Sequence, residues 1–257
     1  MTKIHPTAIV DPSAQIGSEV TVGPHTIIEG DTIIGDNATI GANCLVAANT
    51  ELKSTVRLFH GAVVGTIPQD LKFSGEKTRL VIGENTTIRE YAMLNRGTSE
   101  RGETTIGRNC LLMAYSHVAH DCDVGNHVIM ANAVNLAGHV SIGDYAIIGG
   151  VVPVHQFVKI GAHSMIGGGF RVQQDICPYA LVGGYPLRVA GLNAIGLKRR
   201  GFRSETLQIL EQTFKILFFS NLNTSQAVEK IKQEVEPIKE VTTILDFIKN
   251  SNRGMIK

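Results

Sequence analysis

The chain contains no tryptophan, and phenylalanine, tyrosine and tryptophan together fill only 5% of its 257 positions. An interior with so few rings has to be built from small and branched aliphatic side chains. Charge of one sign is missing too: 24 lysines and arginines face 23 aspartates and glutamates, so neither a nucleic-acid nor a membrane footprint shows. No apolar run approaches the roughly 18 residues that a membrane span needs, and MTKIHPTAIV has no secretory h-region. A cytoplasmic protein without an integral membrane segment is expected. The four cysteines (Cys44, Cys110, Cys122 and Cys177) lack any CxxC or paired spacing, which argues against a disulfide framework or a thiolate metal site. Buried thiols in a reducing compartment are expected instead.

What the chain does have is a period of six. Taken at every sixth position, Ile106, Leu112, Val118, Val124, Met130, Leu136, Ile142, Ile148, Val154, Ile160, Ile166 and Val172 are all apolar. A helix would repeat near 3.6 and a plain strand at 2. Hexads are the signature of a parallel β-helix, three of them to a triangular coil. The same register begins at Ile4, Val10, Ile16 and Val22 and runs to Val64, with a small or β-branched residue four places after each. We read each hexad as a short strand and a tight corner. The aliphatic side chain points inward, and Gly, Asn or Asp at the corners supplies unusual backbone angles. Most of this part is scaffold.

Two stretches, 66–79 and 96–104, break the register. Insertions in repeat proteins collect on one face and are better functional candidates than the coils. The first, carrying Asp70 and Lys72, is expected to take part in function; the second is expected to be a plain surface excursion.

With eighteen residues per coil, positions eighteen apart stack about 4.8 Å from one another. His120, Gly138 and Gln156 then form one column; Asp121, His139 and Phe157 form the next; His117, Asn135 and Pro153 a third. An imidazole suits general-base work near neutral pH, and an adjacent carboxylate fixes its tautomer. A glycine N–H beside it can stabilise an oxyanion. A metal reading competes with this one. Some prismatic hexapeptide proteins, the γ-class carbonic anhydrases, hold zinc with three histidines, and His117, His120 and His139 offer such a set. Asp121 and Gln156 make the surroundings better suited to hydrogen bonding, so no metal or other cofactor is expected.

The segments YSHVAHDCDVGN (115–126), LAGHVSIGDYAIIGG (136–150), VHQFVKIGAH (154–163), GLKRRGF (196–202) and IPQDLKFSGE (67–76) closely resemble the UDP-N-acetylglucosamine acyltransferases, which open lipid A biosynthesis. The resemblance implies an all-β solenoid, a left-handed parallel β-helix of hexapeptide repeats, followed by a small α-helical C-terminal domain, with clefts between the subunits of a homotrimer. It implies transfer of an (R)-3-hydroxyacyl chain from acyl carrier protein to the 3-hydroxyl of UDP-N-acetylglucosamine. By matching position, His120 is the general base, Asp121 orients it and the Gly138 N–H holds the oxyanion. Asp70, Lys72, His117, His139 and Gln156 match cleft or sugar-nucleotide positions, with His155 beside them as a wall residue. Gly168 matches the end of the acyl groove.

We place the solenoid at 1–186 and the helical domain at 187–257. Pro178, Gly183, Gly184 and Pro186 mark the exit from the coils. Leu207, Leu210, Phe214, Leu217 and Phe218 then recur at helical spacing with Ser204 as N-cap, and further helices are expected at 224–235 and 241–249. A charge run such as Lys198, Arg199, Arg200 and Arg203 is ordinarily a solvated face. Beside a diphosphate and an acidic carrier it gains a binding role; by resemblance Asn193 and Arg199 match substrate-contacting positions at the nucleotide end, and Arg200 of the same cluster is placed with them. Where many relatives carry Glu two places after Asn193, this chain has Ile195, which keeps the 3-amino analogue of the sugar as an alternative acceptor. The later N-acyltransferase of the same pathway carries an N-terminal uridine-binding domain, for which hexads starting at Ile4 leave no room.

Overall fold

Hexads such as those ending in Ile34 and Ile40 each form a two-residue strand followed by a corner, seen at Ile33–Ile34 and Thr39–Ile40. The computed structural model describes residues 1–257. Strands three hexads apart pair in parallel, Lys3 beside Thr21 and Thr21 beside Thr39. The chain therefore coils into a prism with three sheets of eleven, eight and eight strands. The first sheet opens with Lys3–Ile4, the second with Ile9–Val10 and the third with Gln15–Ile16.

The inward aliphatics stack in columns: Ile88, Leu112, Met130, Ile148 and Ile166 follow one another at 0% exposure. Residues four places later are buried as well. Some of the polar ones bond to the next coil: the Thr26 hydroxyl donates to Gly41 O at 2.6 Å and the Cys110 thiol to Gly125 O at 3.1 Å. This column accommodates Cys44, Cys110 and Cys122, and all four cysteines are buried and unpaired, as expected.

Corner geometry departs from expectation in one respect. Asp31, Asn37, Asn43 and Asn49 do take the left-handed conformation, with φ between 53° and 60°. Gly17, Gly23, Gly35 and Gly41, which follow aliphatics of the repeat, do not. A Cβ on Gly35 would sit 2.6 Å from the Lys53 carbonyl carbon, so glycine is required there by the approach of the neighbouring coil rather than by φ.

The two interruptions are shorter than the sequence implies, because flanking strands extend into them. Residues 67–78 lie between Val63–Thr66 and Arg79–Ile82, and residues 96–102 between Met93–Asn95 and Glu103–Ile106. Arg57 pairs with Thr87, thirty positions on, and Thr87 with Leu111, twenty-four on, so the coils resume in register after each loop. Both loops leave the prism at the corner between the second and third sheets.

The first sheet ends with Ala180–Gly183, parallel to Met165–Ile166, and Arg188–Leu192, antiparallel to it. The expected division after residue 186 falls inside this hairpin. Four helices follow: α1 (Ala194–Arg199), α2 (Ser204–Phe218), α3 (Thr224–Glu234) and α4 (Lys239–Lys249). Helix α1 was not expected; it is too short for its period to show. The N-cap of α2 is Arg203 and makes no side-chain cap, so Ser204 is the first helical residue instead. Helix α3 opens with a capping box between Asn223 and Gln226. Leu210, Phe214, Leu217, Ile231 and Ile244 of the helices belong to the same buried cluster of 55 residues as the coils. The final segment is tied back through buried Asp175, whose carboxylate accepts from Lys159 N at 2.8 Å and from the Ser251 hydroxyl at 2.7 Å. No helix is long and apolar enough to cross a membrane.

Candidate active site

His120 and Asp121 occupy the corner between the second-sheet strand His117–Val118 and the third-sheet strand Asp123–Val124. Asp121 takes the left-handed corner conformation, with φ 58°. Its side chain has no exposed surface. His120 Nδ1 lies 2.8 Å from Asp121 Oδ2, which leaves Nε2 facing outward. The next rung brings Gly138 directly beneath the ring. A Cβ there would be 2.6 Å from His120 Cε1 and 2.8 Å from Nε2, so the imidazole itself fills the space a side chain would need. The Gly138 N–H has no partner among the backbone hydrogen bonds. His139 stands edge-on to His120 with ring centroids 5.1 Å apart and stacks on Phe157 at 4.5 Å. The two columns expected from eighteen-residue winding are therefore present on neighbouring rungs.

The loops close on this corner. From residues 67–78, Asp70 Oδ2 reaches within 4.0 Å of His120 Nε2, while the Asp70 Oδ1 accepts the Lys72 backbone N–H at 3.0 Å. The Lys72 side chain is exposed. From residues 96–102, Thr98 donates to Asp121 twice: its N–H to Oδ1 at 2.9 Å and its hydroxyl to Oδ2 at 2.6 Å. Glu100 Oε2 is 3.4 Å from His139 Nε2. This second loop was expected to be a plain excursion, and the structure corrects that: it supplies the inner partner of Asp121. Only its position, at the same corner phase as the first loop, hinted at this in the sequence. Glu76 of the first loop accepts the Ser99 N–H of the second at 3.2 Å, joining the two.

Burial alone would raise the Asp121 pKa. The Thr98 hydroxyl, the His120 ring, the Thr98 amide and the charge of His139 together outweigh it and hold the carboxyl below its ordinary value. His117 moves down because it is desolvated, a Met93 backbone hydrogen bond opposing and His120 adding to the effect.

The other candidates are distributed around the prism. His117 lies three residues before His120 on the strand, paired with Asn135, and its Nδ1 is buried without a partner. Gln156 is exposed one rung beyond Gly138, beside half-buried His155, whose Nδ1 lies 3.1 Å from Gln156 O. Gly168 packs against Gly150 at the corner between the first and second sheets. Asn193 caps α1 through Gly196 N and donates to His163 O at 2.9 Å. Arg200 donates to Tyr145 O at 2.8 Å and lies over the Tyr145 ring, at the corner between the third and first sheets. Arg199 is exposed on α1. Within one chain, then, Asn193, Arg199, Arg200 and Gly168 do not meet His120.

His120, Asp121 and His139 are the one set of side chains whose donor atoms gather as a metal would require, all within 4.8 Å. His117 is outside that set, so within one chain the three histidines do not come together. Both Asp121 oxygens already accept hydrogen bonds, which fits a carboxylate that orients an imidazole better than one that binds a cation.

A prism of hexads with an imidazole–carboxylate pair over a corner glycine defines a hexapeptide-repeat transferase. Residues 13–48 and 103–138 match the family model for the bacterial transferase hexapeptide, and residues 175–256 match that for domain 2 of UDP N-acetylglucosamine O-acyltransferase. The acyl-[acyl-carrier-protein]–UDP-N-acetylglucosamine O-acyltransferase of Trichlorobacter lovleyi is 54% identical, covering 99% of each chain. That of Thermodesulfovibrio yellowstonii is 43% identical over 100% of both. The crystal structure of a UDP-N-acetylglucosamine acyltransferase from Bacteroides fragilis superposes with a TM-score of 0.98 at 43% identity, covering 99% of this chain and 100% of that one. The chain belongs to the UDP-N-acetylglucosamine O-acyltransferase family. The hexads, the parallel sheets and these neighbours fit a left-handed β-helix.

Proposed function

We propose that this protein transfers an (R)-3-hydroxyacyl chain from acyl carrier protein to the 3-hydroxyl of UDP-N-acetylglucosamine, with His120 as general base. The observation that carries the reading is the His120 ring, held by buried Asp121 and lying on Gly138. Asp121 keeps the proton of the imidazole on Nδ1, so Nε2 takes the proton of the sugar hydroxyl as its oxygen attacks the thioester carbonyl. The oxyanion that forms accepts a hydrogen bond from the Gly138 N–H. On collapse the C–S bond breaks, and the imidazolium returns its proton to the leaving thiolate. Asp70 and Lys72 border the acceptor, with His117, His139, His155 and Gln156 forming the cleft around it. The acceptor alternative resting on Ile195 gains no support, because the relatives are named for the N-acetylglucosamine nucleotide.

Asn193, Arg199, Arg200 and Gly168 lie at other corners of the prism, so their substrate roles require a neighbouring copy. We take the working form to be a homotrimer in which one subunit supplies His120 and the next supplies the basic cluster, with the helical end (residues 193–257) as a unit serving the nucleotide and carrier.

The test is acyl transfer by His120→Ala. Loss of about 10²–10⁴-fold in kcat with an unchanged unfolding midpoint is expected for a general base, and near-normal turnover contradicts the mechanism. Mixed refolding of His120→Ala with Arg199→Ala chains should restore activity if sites are shared between subunits.

A further inference from the structure

The loop at 96–102 bears on chemistry that the corner residues cannot perform alone. The Asp121 carboxylate has no exposed surface, and a buried anion without donors would favour its protonated form. A protonated or rotated carboxyl would no longer hold His120 Nδ1. The groups facing the Asp121 carboxylate are His120 from its own corner, His139 from the next rung and Thr98 from the loop. Glu100 and Asp70 lie beyond the two imidazoles, and Arg101 lies at the backbone oxygen of Asp121. Thr98 alone gives the carboxylate two donors that do not depend on a histidine tautomer, its amide and its hydroxyl.

Resting on the general-base reading above, we propose that Thr98 is a positioning residue for the transfer reaction, clamping Asp121 by its amide and hydroxyl so that Oδ2 stays aimed at His120 Nδ1. The two donors address different oxygens, Oδ1 by the amide and Oδ2 by the hydroxyl, which fixes the carboxylate plane as well as its charge. Thr98 is itself 6% exposed. The loop is shaped to bring it there. Gly97 N bonds to Arg79 O, and a Cβ on Gly97 would strike the Glu103 backbone at 2.5 Å. The Gly102 N–H returns to Thr98 O at 2.7 Å, closing the turn. Because Oδ2 accepts from both the Thr98 hydroxyl and the His120 ring, the threonine shares the charge that His120 would otherwise draw on alone.

The experiment compares Thr98→Val, which keeps the shape and the amide but removes the hydroxyl, with Thr98→Ser, which keeps the donor. Steady-state rates across pH and histidine-selective ¹⁵N NMR of the full-length protein are recorded for both, with His120→Ala as control. In Thr98→Val we expect kcat to fall about tenfold to a hundredfold, the range for losing a hydrogen bond to a charged group. KM for the sugar nucleotide should be unchanged, and the acid limb of the kcat profile should move to higher pH as His120 gains a less compensated anion. The fraction of His120 carrying its proton on Nδ1 should change with it, and Thr98→Ser should restore all three. Wild-type kcat and pH profile in Thr98→Val overturn the proposal, as does a change in KM alone. If Thr98→Val folds poorly, the NMR tautomer of Thr98→Ser against wild type still decides, since a shifted tautomer with the donor retained also overturns it. An active His120→Ala would instead remove the general-base reading, while an inactive one beside a wild-type-like Thr98→Val removes only the role of Thr98.

Discussion

Replacing Gly138 by alanine tests the site through one methyl group. Gly138 is not among the left-handed glycines, so alanine can take its backbone conformation, and the N–H assigned to the oxyanion is retained. What changes is the space under His120. The new Cβ would lie 2.6 Å from Cε1, whereas ordinary contacts begin at 3.4 Å, so the ring has to move by about 1 Å or turn away. Such a displacement stretches the 2.8 Å contact between Nδ1 and Asp121 and carries Nε2 off the acceptor. A misplacement of about 1 Å costs on the order of 10²-fold in rate, or roughly 2.7 kcal/mol in the barrier. We therefore expect Gly138→Ala to lose about two orders of magnitude in kcat while its thermal midpoint stays within a few degrees of wild type. In a His120→Ala background the same change should add little, because the ring it displaces is gone. Turnover within about threefold of wild type, or a full additional loss in the double variant, would refute the reasoning.

Three further outcomes test the scaffold. Burial, assisted by the charge of Arg200 and opposed by Asp144, pushes His163 down to about 4, so between pH 6.5 and about 4 the unfolded chain binds a proton that the folded chain refuses. Stability should fall as pH drops through that window, and His163→Phe, which keeps a ring between Tyr145 and Tyr179, should flatten the slope in denaturant midpoints. Leu112→Ala, at 0% exposure between the rungs of Ile88 and Met130, should cost about 2–5 kcal/mol in equilibrium unfolding; a change below about 0.5 kcal/mol would contradict the stacked core. The thiols should resist a neutral-pH disulfide reagent until the protein is unfolded, when all four react, since burial pushes Cys122 up to about 12 and raises Cys44, Cys110 and Cys177.

The coils are legible because each hexad repeats the same local instruction. Ile106, Leu112 and Val118 state a period, and the period alone places His120 next to Gly138 one rung on. Gly35 departs from the expected role: it serves the approach of Lys53, a contact between coils that no local pattern announces. Helix α1 escaped notice because six residues make too few turns to show a face. The Asn193 side chain caps that helix and reaches His163 O, two contacts that depend on where the end of the prism lies and that no motif announces.

The hexads carry the winding, the inward columns, the burial of the cysteines and the meeting of an imidazole, a carboxylate and a glycine at one corner. These follow from a repeat whose geometry is set residue by residue. It takes the folded chain to show that residues 96–102 close over the corner to give Thr98 to Asp121, that Asp70 stands over Nε2, and that Arg200 lies against Tyr145 at a different corner. Outside the repeat, a residue's neighbours are set by how a loop closes over distant coils. That closure is governed by contacts spread across the chain and leaves no period to read.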